Sequence, residues 1–181
     1  MPRIRAERRV LAEGRFVRMV AQDGWEWVER TNTSGAVVIV PVTQDRELVL
    51  VEQYRIPVGA RVIELPAGLS GDTPSSQHEL LAETARRELL EETGFEAEEL
   101  EYLIEGPSSA GLANEVYAMF FARNVRRVAA GGGDQSEAIQ VHVVPLEQID
   151  AWLQARRASG LMVDPKVYAG IYFAVSRQSV R

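Results

Sequence analysis

Apolar and polar positions alternate at short range through the first third of the chain and then change period. Three extended runs open it, Glu7 to Ala12, Gly14 to Ala21 and Trp25 to Thr31, separated by turn signals at Glu13-Gly14 and Asp23-Gly24. They predict a small amino-terminal sheet. Two stronger runs follow, AVVIVPV (Ala36 to Val42) and ELVLVEQY (Glu47 to Tyr54), flanking Thr43-Gln44-Asp45-Arg46 as a hairpin turn, with a short strand at Arg61 to Leu65. Gly68 to Gln77, GLSGDTPSSQ, reads as a loop by composition, and Gly131-Gly132-Gly133 as a flexible one. Helix start signals follow the first loop: Thr73 before Pro74, and Ser76 with Glu79 three residues on. Nothing breaks the helix from there to Thr93, and Gly94 stands where a left-handed C-terminal residue belongs. Further strands are expected near Glu99 to Ile104, Val116 to Asn124 and Ile139 to Val144, then helices over Leu146 to Arg157 and Pro165 to Ser176. Strands outnumber interspersed helices, which predicts an α/β/α sandwich on a mixed sheet. The organisation expected is an amino-terminal β extension, residues 1–33, and a main domain, residues 34–181.

Composition narrows the function classes. The chain has 181 residues, 46% of them apolar, enough for one real core. There is no cysteine, so no disulfide or thiolate chemistry, and two histidines far apart in sequence, His78 and His142, do not make a zinc site alone. The charged amino terminus and the lack of a long apolar run imply neither secretion nor a membrane span, and the expected location is cytoplasmic. Six arginines in the first eighteen residues do not amount to a basic face for nucleic acid.

Net charge is −6, and it has an address. From Glu79 to Glu101 there are nine acids and two arginines, a balance of −7, so the rest of the chain is close to neutral. Within this stretch RRELLEETGF (Arg86 to Phe95) sets three carboxylates in five residues. At about 100° per residue, Glu88, Glu91 and Glu92 share an arc beside an apolar arc of Ala82, Ala85 and Leu89. Charges needed only for solubility would sit opposite the buried stripe. Like charges four apart repel, so a neutraliser is called for, and Mg²⁺ or Mn²⁺ suits carboxylate oxygens. A charged, solvated helix end is the alternative that periodicity alone leaves open. Arg87, four residues from both Glu83 and Glu91, can hold the acids in place through ion pairs without touching substrate.

Glu79, seven residues, and then Arg87-Glu88-Leu89-Leu90-Glu91-Glu92-Thr93-Gly94-Phe95 resemble the signature of the Nudix hydrolases. The glycine that the signature sets six residues before its first glutamate is Thr73 here; Gly68 is the equivalent, with about five extra residues in the loop. VEQYRIPVGARVIELPAGL (Val51 to Leu69) resembles the ADP-ribose pyrophosphatase branch, and the strands around Trp25-Glu26-Trp27-Val28 resemble its extra sheet, which pairs with a second subunit. The resemblance implies metal ligation by Glu88, Glu91, Glu92 and the Ala67 carbonyl, with Glu88 and Glu92 central to catalysis. It also implies base stacking by Trp25, phosphate contact by Arg55, a catalytic glutamate at Glu137, and a homodimer. Glu115 is the rival to Glu137.

The branch's proline fifteen residues past the signature is Ala110 in this chain. ADP-ribose therefore leads as substrate, with GDP-mannose and other nucleoside diphosphate sugars open. A nucleotide-sensing module without turnover is the rival class; a complete carboxylate set argues against it.

Overall fold

The computed structural model describes residues 7–33, 35–71, 80–133 and 138–178. Strands β1 (Arg9–Glu13), β2 (Val17–Gln22) and β3 (Trp25–Arg30) form a three-stranded antiparallel sheet, in the order the turn signals predict. The main sheet is built from β4 (Gly35–Thr43), β5 (Glu47–Arg55), β6 (Ala60–Glu64), β7 (Ala67–Ser70), β8 (Phe95–Glu96), β9 (Glu99–Pro107), β10 (Val116–Arg127), β11 (Gln140–Pro145) and β12 (Met162–Val163). It is mixed: β10 runs parallel to β4 and β12 parallel to β6, while the other pairs are antiparallel.

The central strand β4 is apolar at nearly every position because both of its faces are covered. Val37 and Ile39 point into one core with Ala85, Leu89, Phe95, Ala118 and Phe120, under helix α1 (Leu81–Glu88). Val38, Val40 and Val42 point into the other with Leu50, Leu65 and Phe121, under α2 (Ile149–Ala158) and α3 (Pro165–Gln178). This is the expected α/β/α sandwich. Helix α3 starts where local chemistry dictates: Asp164 Oδ1 accepts the Lys166 N–H at 2.8 Å, and Pro165 fills the first helical position. No described helix is long and apolar enough to cross a membrane.

The expected loop from Gly68 onward is corrected at its start. Ala67–Ser70 is strand β7, paired with Gly35 to Val38 of β4, because a cross-strand partner outweighs the turn-like composition. The glycine run is corrected as well. Gly132 and Gly133 donate their N–H groups to the carbonyls of Glu92 and Glu91 at 2.8 and 3.0 Å, and Gly94 accepts from Val128 and Ala129 at 2.8 and 3.0 Å. Gly94 (φ 74°) and Gly131 (φ 70°) lie backbone against backbone; a methyl on either would overlap the other segment. Thus the run caps the carboxyl end of the acidic helix. The predicted helix start at Thr73 to Glu79, and His78 with it, lies outside the described residues; α1 is entered at Leu80, whose N–H is 3.3 Å from Glu83 Oε2.

His142 on β11 is buried, with its Nε2 2.9 Å from Glu52 Oε2 on β5, and Arg61 on β6 pairs with the same carboxylate. Burial alone would raise the Glu52 pKa, but the hydrogen bonds from Arg61 and His142 outweigh it and hold the carboxyl below its usual range. A depressed folded-state value stabilises above the unfolded pKa, and that stability is lost as pH falls through the folded value. Glu52→Gln is therefore expected to cost about 1–2 kcal/mol at pH 7. The gap to wild type should close as pH drops below about 4.3. Urea unfolding at pH 7 and pH 3 checks this; a gap that stays constant with pH would remove Glu52 ionisation from the stability of the three-strand junction.

Candidate active site

The acidic helix does not stay α-helical. After Glu88 it widens into a π turn over Leu89–Thr93 and ends at Gly94 in the left-handed conformation. Such single π turns recur at functional sites, and this one changes the phase that 100° per residue predicts. Glu92 turns inward and is only 5% exposed, while the Glu91 side chain is 54% exposed. The expected buried arc is adjusted in the same region: Ala85 and Leu89 are buried, but Ala82 is exposed and Thr84 takes the inner position.

Strand β7 supplies the other wall. Ala67 N–H donates to Glu92 Oε2 at 3.0 Å, a charge-assisted bond that fixes the buried carboxylate. Gly68 lies opposite Val37, on the α1 side of the sheet, and a methyl built there would overlap the carboxyl of Glu88. The absence of a side chain at Gly68 is what gives Glu88 its place. Arg87 then ties the acids together: its Nη1 is 2.9 Å from Glu88 Oε1 and 3.0 Å from Glu91 Oε2, and its Nη2 donates to the Leu69 carbonyl at 3.3 Å. Glu83, expected as a further partner of Arg87, turns back to the Leu80 N–H at the helix start.

Oxygen donors from three carboxylates, bordered by strand backbone, suit a hard divalent cation. Among the described residues no three acidic or histidine side chains stand close enough together to hold one as they are. Glu91 is held aside by the guanidinium it shares with Glu88.

The other expected site residues lie elsewhere. Trp25 is 66% exposed on β3, while Trp27 donates its Nε1–H to Glu29 at 3.0 Å. Trp25 and Trp27 line an open cleft of about 430 Å³ whose far wall is Ala110, Gly111, Ala113 and Asn114. That wall is docked by backbone: Val28 N–H donates to the Leu112 carbonyl at 2.8 Å. Arg55 forms a two-pronged pair with Glu64, Nε to Oε1 at 2.8 Å and Nη2 to Oε2 at 2.5 Å. Sequence reading missed Glu64; its only signal was a position on the strand that returns after the Ile56-Pro57-Val58 turn. Glu115 is engaged by Arg30 of the amino-terminal sheet; burial works to raise its pKa, but that pairing dominates and lowers it. Glu137 lies outside the described residues.

Comparison with known proteins identifies the family. A family model described as the NUDIX domain matches residues 33–162. A methanol dehydrogenase activator of Bacillus methanolicus is 33% identical over 126 residues, covering 68% of this chain and 64% of its own length. An ADP-ribose pyrophosphatase of Bacillus subtilis (strain 168) is 31% identical over 125 residues, covering 67% and 64%. The matched stretch thus spans less than two thirds of these curated relatives. A solved structure described as an ADP compounds hydrolase superposes with a TM-score of 0.70 at 22% identity, over 96% of this chain and 92% of its own, and shares the fold. With Arg87 to Thr93 of the signature folded onto one helix end against β7 and the family model covering most of the chain, this protein belongs to the Nudix family.

Proposed function

We propose that the chain is a Mg²⁺- or Mn²⁺-dependent hydrolase of the diphosphate in a nucleoside diphosphate sugar, with ADP-ribose, giving AMP and ribose 5-phosphate, as the leading substrate. The observation that carries this reading is the acidic helix end laid against β7: Glu92 fixed by the Ala67 N–H, Glu88 seated over Gly68, and Glu91 joined to Glu88 through Arg87. Glu88, Glu91, Glu92 and the Ala67 carbonyl are the groups assigned to the cation. The chemistry a bound cation supplies is neutralisation of the diphosphate and acidification of water. The chain's own part is positioning: Arg87 sets the spacing of Glu88 and Glu91, and the buried bond from Ala67 keeps Glu92 oriented.

Substrate recognition is assigned to the amino-terminal extension, residues 1–33, and the hairpin of β5 and β6. Trp25 offers an exposed ring for a base in the cleft it shares with Ala110, and Arg55, aligned by Glu64, offers charge to phosphate. Glu137 follows the glycine cap of the acidic helix by four residues and is the assigned general base, since Glu115 is engaged by Arg30. Val17 and Met19, two apart on β2 and both exposed, share one face of the amino-terminal sheet, a face suited to a second copy of the chain in a homodimer.

Four outcomes are expected. In a Mg²⁺-dependent panel of ADP-ribose, ADP-glucose, GDP-mannose, UDP-glucose, dinucleoside polyphosphates and nucleoside triphosphates, diphosphate sugars should lead. ADP-ribose should be no more than about a hundredfold ahead, because Ala110 gives a looser wall than proline. Exclusive turnover of a triphosphate would overturn the substrate class, and binding without turnover of any compound would favour the sensor reading.

Gly68→Ala should keep the fold, since the displaced group is the end of a flexible side chain, yet lower kcat/KM by about a hundredfold. Glu92→Gln, which can still accept the Ala67 N–H, should fold and lose turnover; full metal-dependent activity in either folded variant would dismantle the assigned site. Light scattering at micromolar concentration should show a dimer, and a monomer there would remove the partner subunit from the scheme.

A further inference from the structure

The hairpin between β4 and β5 carries an unexplained conformational cost. Gln44 and Asp45 make the turn, Arg46 N–H donates to the Thr43 carbonyl at 3.1 Å, and Arg46 itself is left-handed at φ 61°. That position of a three-residue hairpin loop ordinarily belongs to glycine. An arginine there is strained, and strain of this kind gathers at functional sites. Beside it, the register of β10 against β4 shifts between Arg123 and Val125, and the intervening Asn124 is left-handed at φ 52°. Among the described residues three non-glycines have positive φ, and two of them line the same cavity.

The cavity has a volume of about 280 Å³ and is lined by Thr43, Gln44, Arg46, Arg123, Asn124 and Arg177 over an apolar floor of Val42 and Phe121. Its lining holds three positive charges and no negative one. Arg123 lies over the Phe121 ring at 5.2 Å, with Glu99 only at 4.0 Å; Arg177 is paired to Glu101 at 2.7 Å; no ion pair engages Arg46 among the described residues. Val42 and Phe121 belong to the core under α2 and α3, so the cavity opens on the sheet face opposite the acidic helix. A protein of net charge −6 has thus gathered three guanidinium groups and two side-chain amides in one recess.

From this geometry we infer a second ligand site, at the β4–β5 hairpin beneath the end of α3, that takes a phosphate group, either inorganic phosphate or a small phosphomonoester. Forked guanidinium donors match phosphate oxygens, and Gln44 and Asn124 can serve the remaining acceptors. The volume of about 280 Å³ admits one phosphoryl group with a small substituent. The inference does not rest on the hydrolase reading, because none of these residues belongs to the acidic helix or to β7.

Isothermal titration of the metal-free protein with inorganic phosphate and, separately, with ribose 5-phosphate tests it, with chloride held constant. Saturable millimolar binding of at least one is expected, and the tighter of the two identifies the ligand as free phosphate or a phosphomonoester. Arg46→Gly and Arg177→Gln should each weaken binding by about tenfold or more. Glu92→Gln should leave it unchanged. Relief of the left-handed strain should leave Arg46→Gly with a Tm equal to wild type or about 2–4 °C higher, which separates lost binding from lost folding. No saturable binding by wild type, or binding that both arginine variants retain, would overturn the site.

Discussion

Everything assigned to the acidic helix depends on the close approach of backbone to carboxylate at Gly68. Three glutamates within five residues repel one another, and a helix tolerates them only when something holds each in place. At Gly68 there is no side chain, so Glu88 lies directly against β7; one residue earlier the Ala67 N–H takes Glu92. Arg87 supplies the positive charge between Glu88 and Glu91 and is itself fixed by the Leu69 carbonyl. Three successive residues of one short strand therefore set the arrangement of the whole acidic cluster. The far end is held in the same manner, by the glycine pair Gly94 and Gly131.

The layers, and most strands of the main sheet, are legible in the sequence because they rest on burial. The run Ala36 to Val42 is apolar at every position, which states that both faces are covered, and the two cores divide its side chains by parity. What escaped was held by partners distant in sequence. Ala67–Ser70 looks like loop until β4 is placed beside it, and the glycine run looks mobile until the carbonyls of Glu91 and Glu92 are placed beneath it. Short pairings such as Phe95–Glu96 with β10 and Met162–Val163 with β6 leave no periodicity to read.

The candidate site was legible as chemistry and less so as geometry. RRELLEETGF announces carboxylates and their arginine, but a uniform helical period cannot foresee a π turn that buries Glu92 and exposes Glu91. Nor can spacing show that Arg55 spends two donors on Glu64, or that Glu115 is bound to Arg30 across 85 residues. Such pairs depend on which strands become neighbours, and the alternation within each strand does not encode that.

The parity of β4 has a consequence for how the protein can change. Val37 and Ile39 support the acidic helix, whereas Val38, Val40 and Val42 support α2 and α3 and the floor of the arginine-lined recess. Because a close-packed core transmits a change in volume to its immediate neighbours, a substitution at an odd position is felt on one face and at an even position on the other. One strand thus acts as a partition, and drift in the surface that faces α3 can proceed through many substitutions while the opposite face keeps its chemistry.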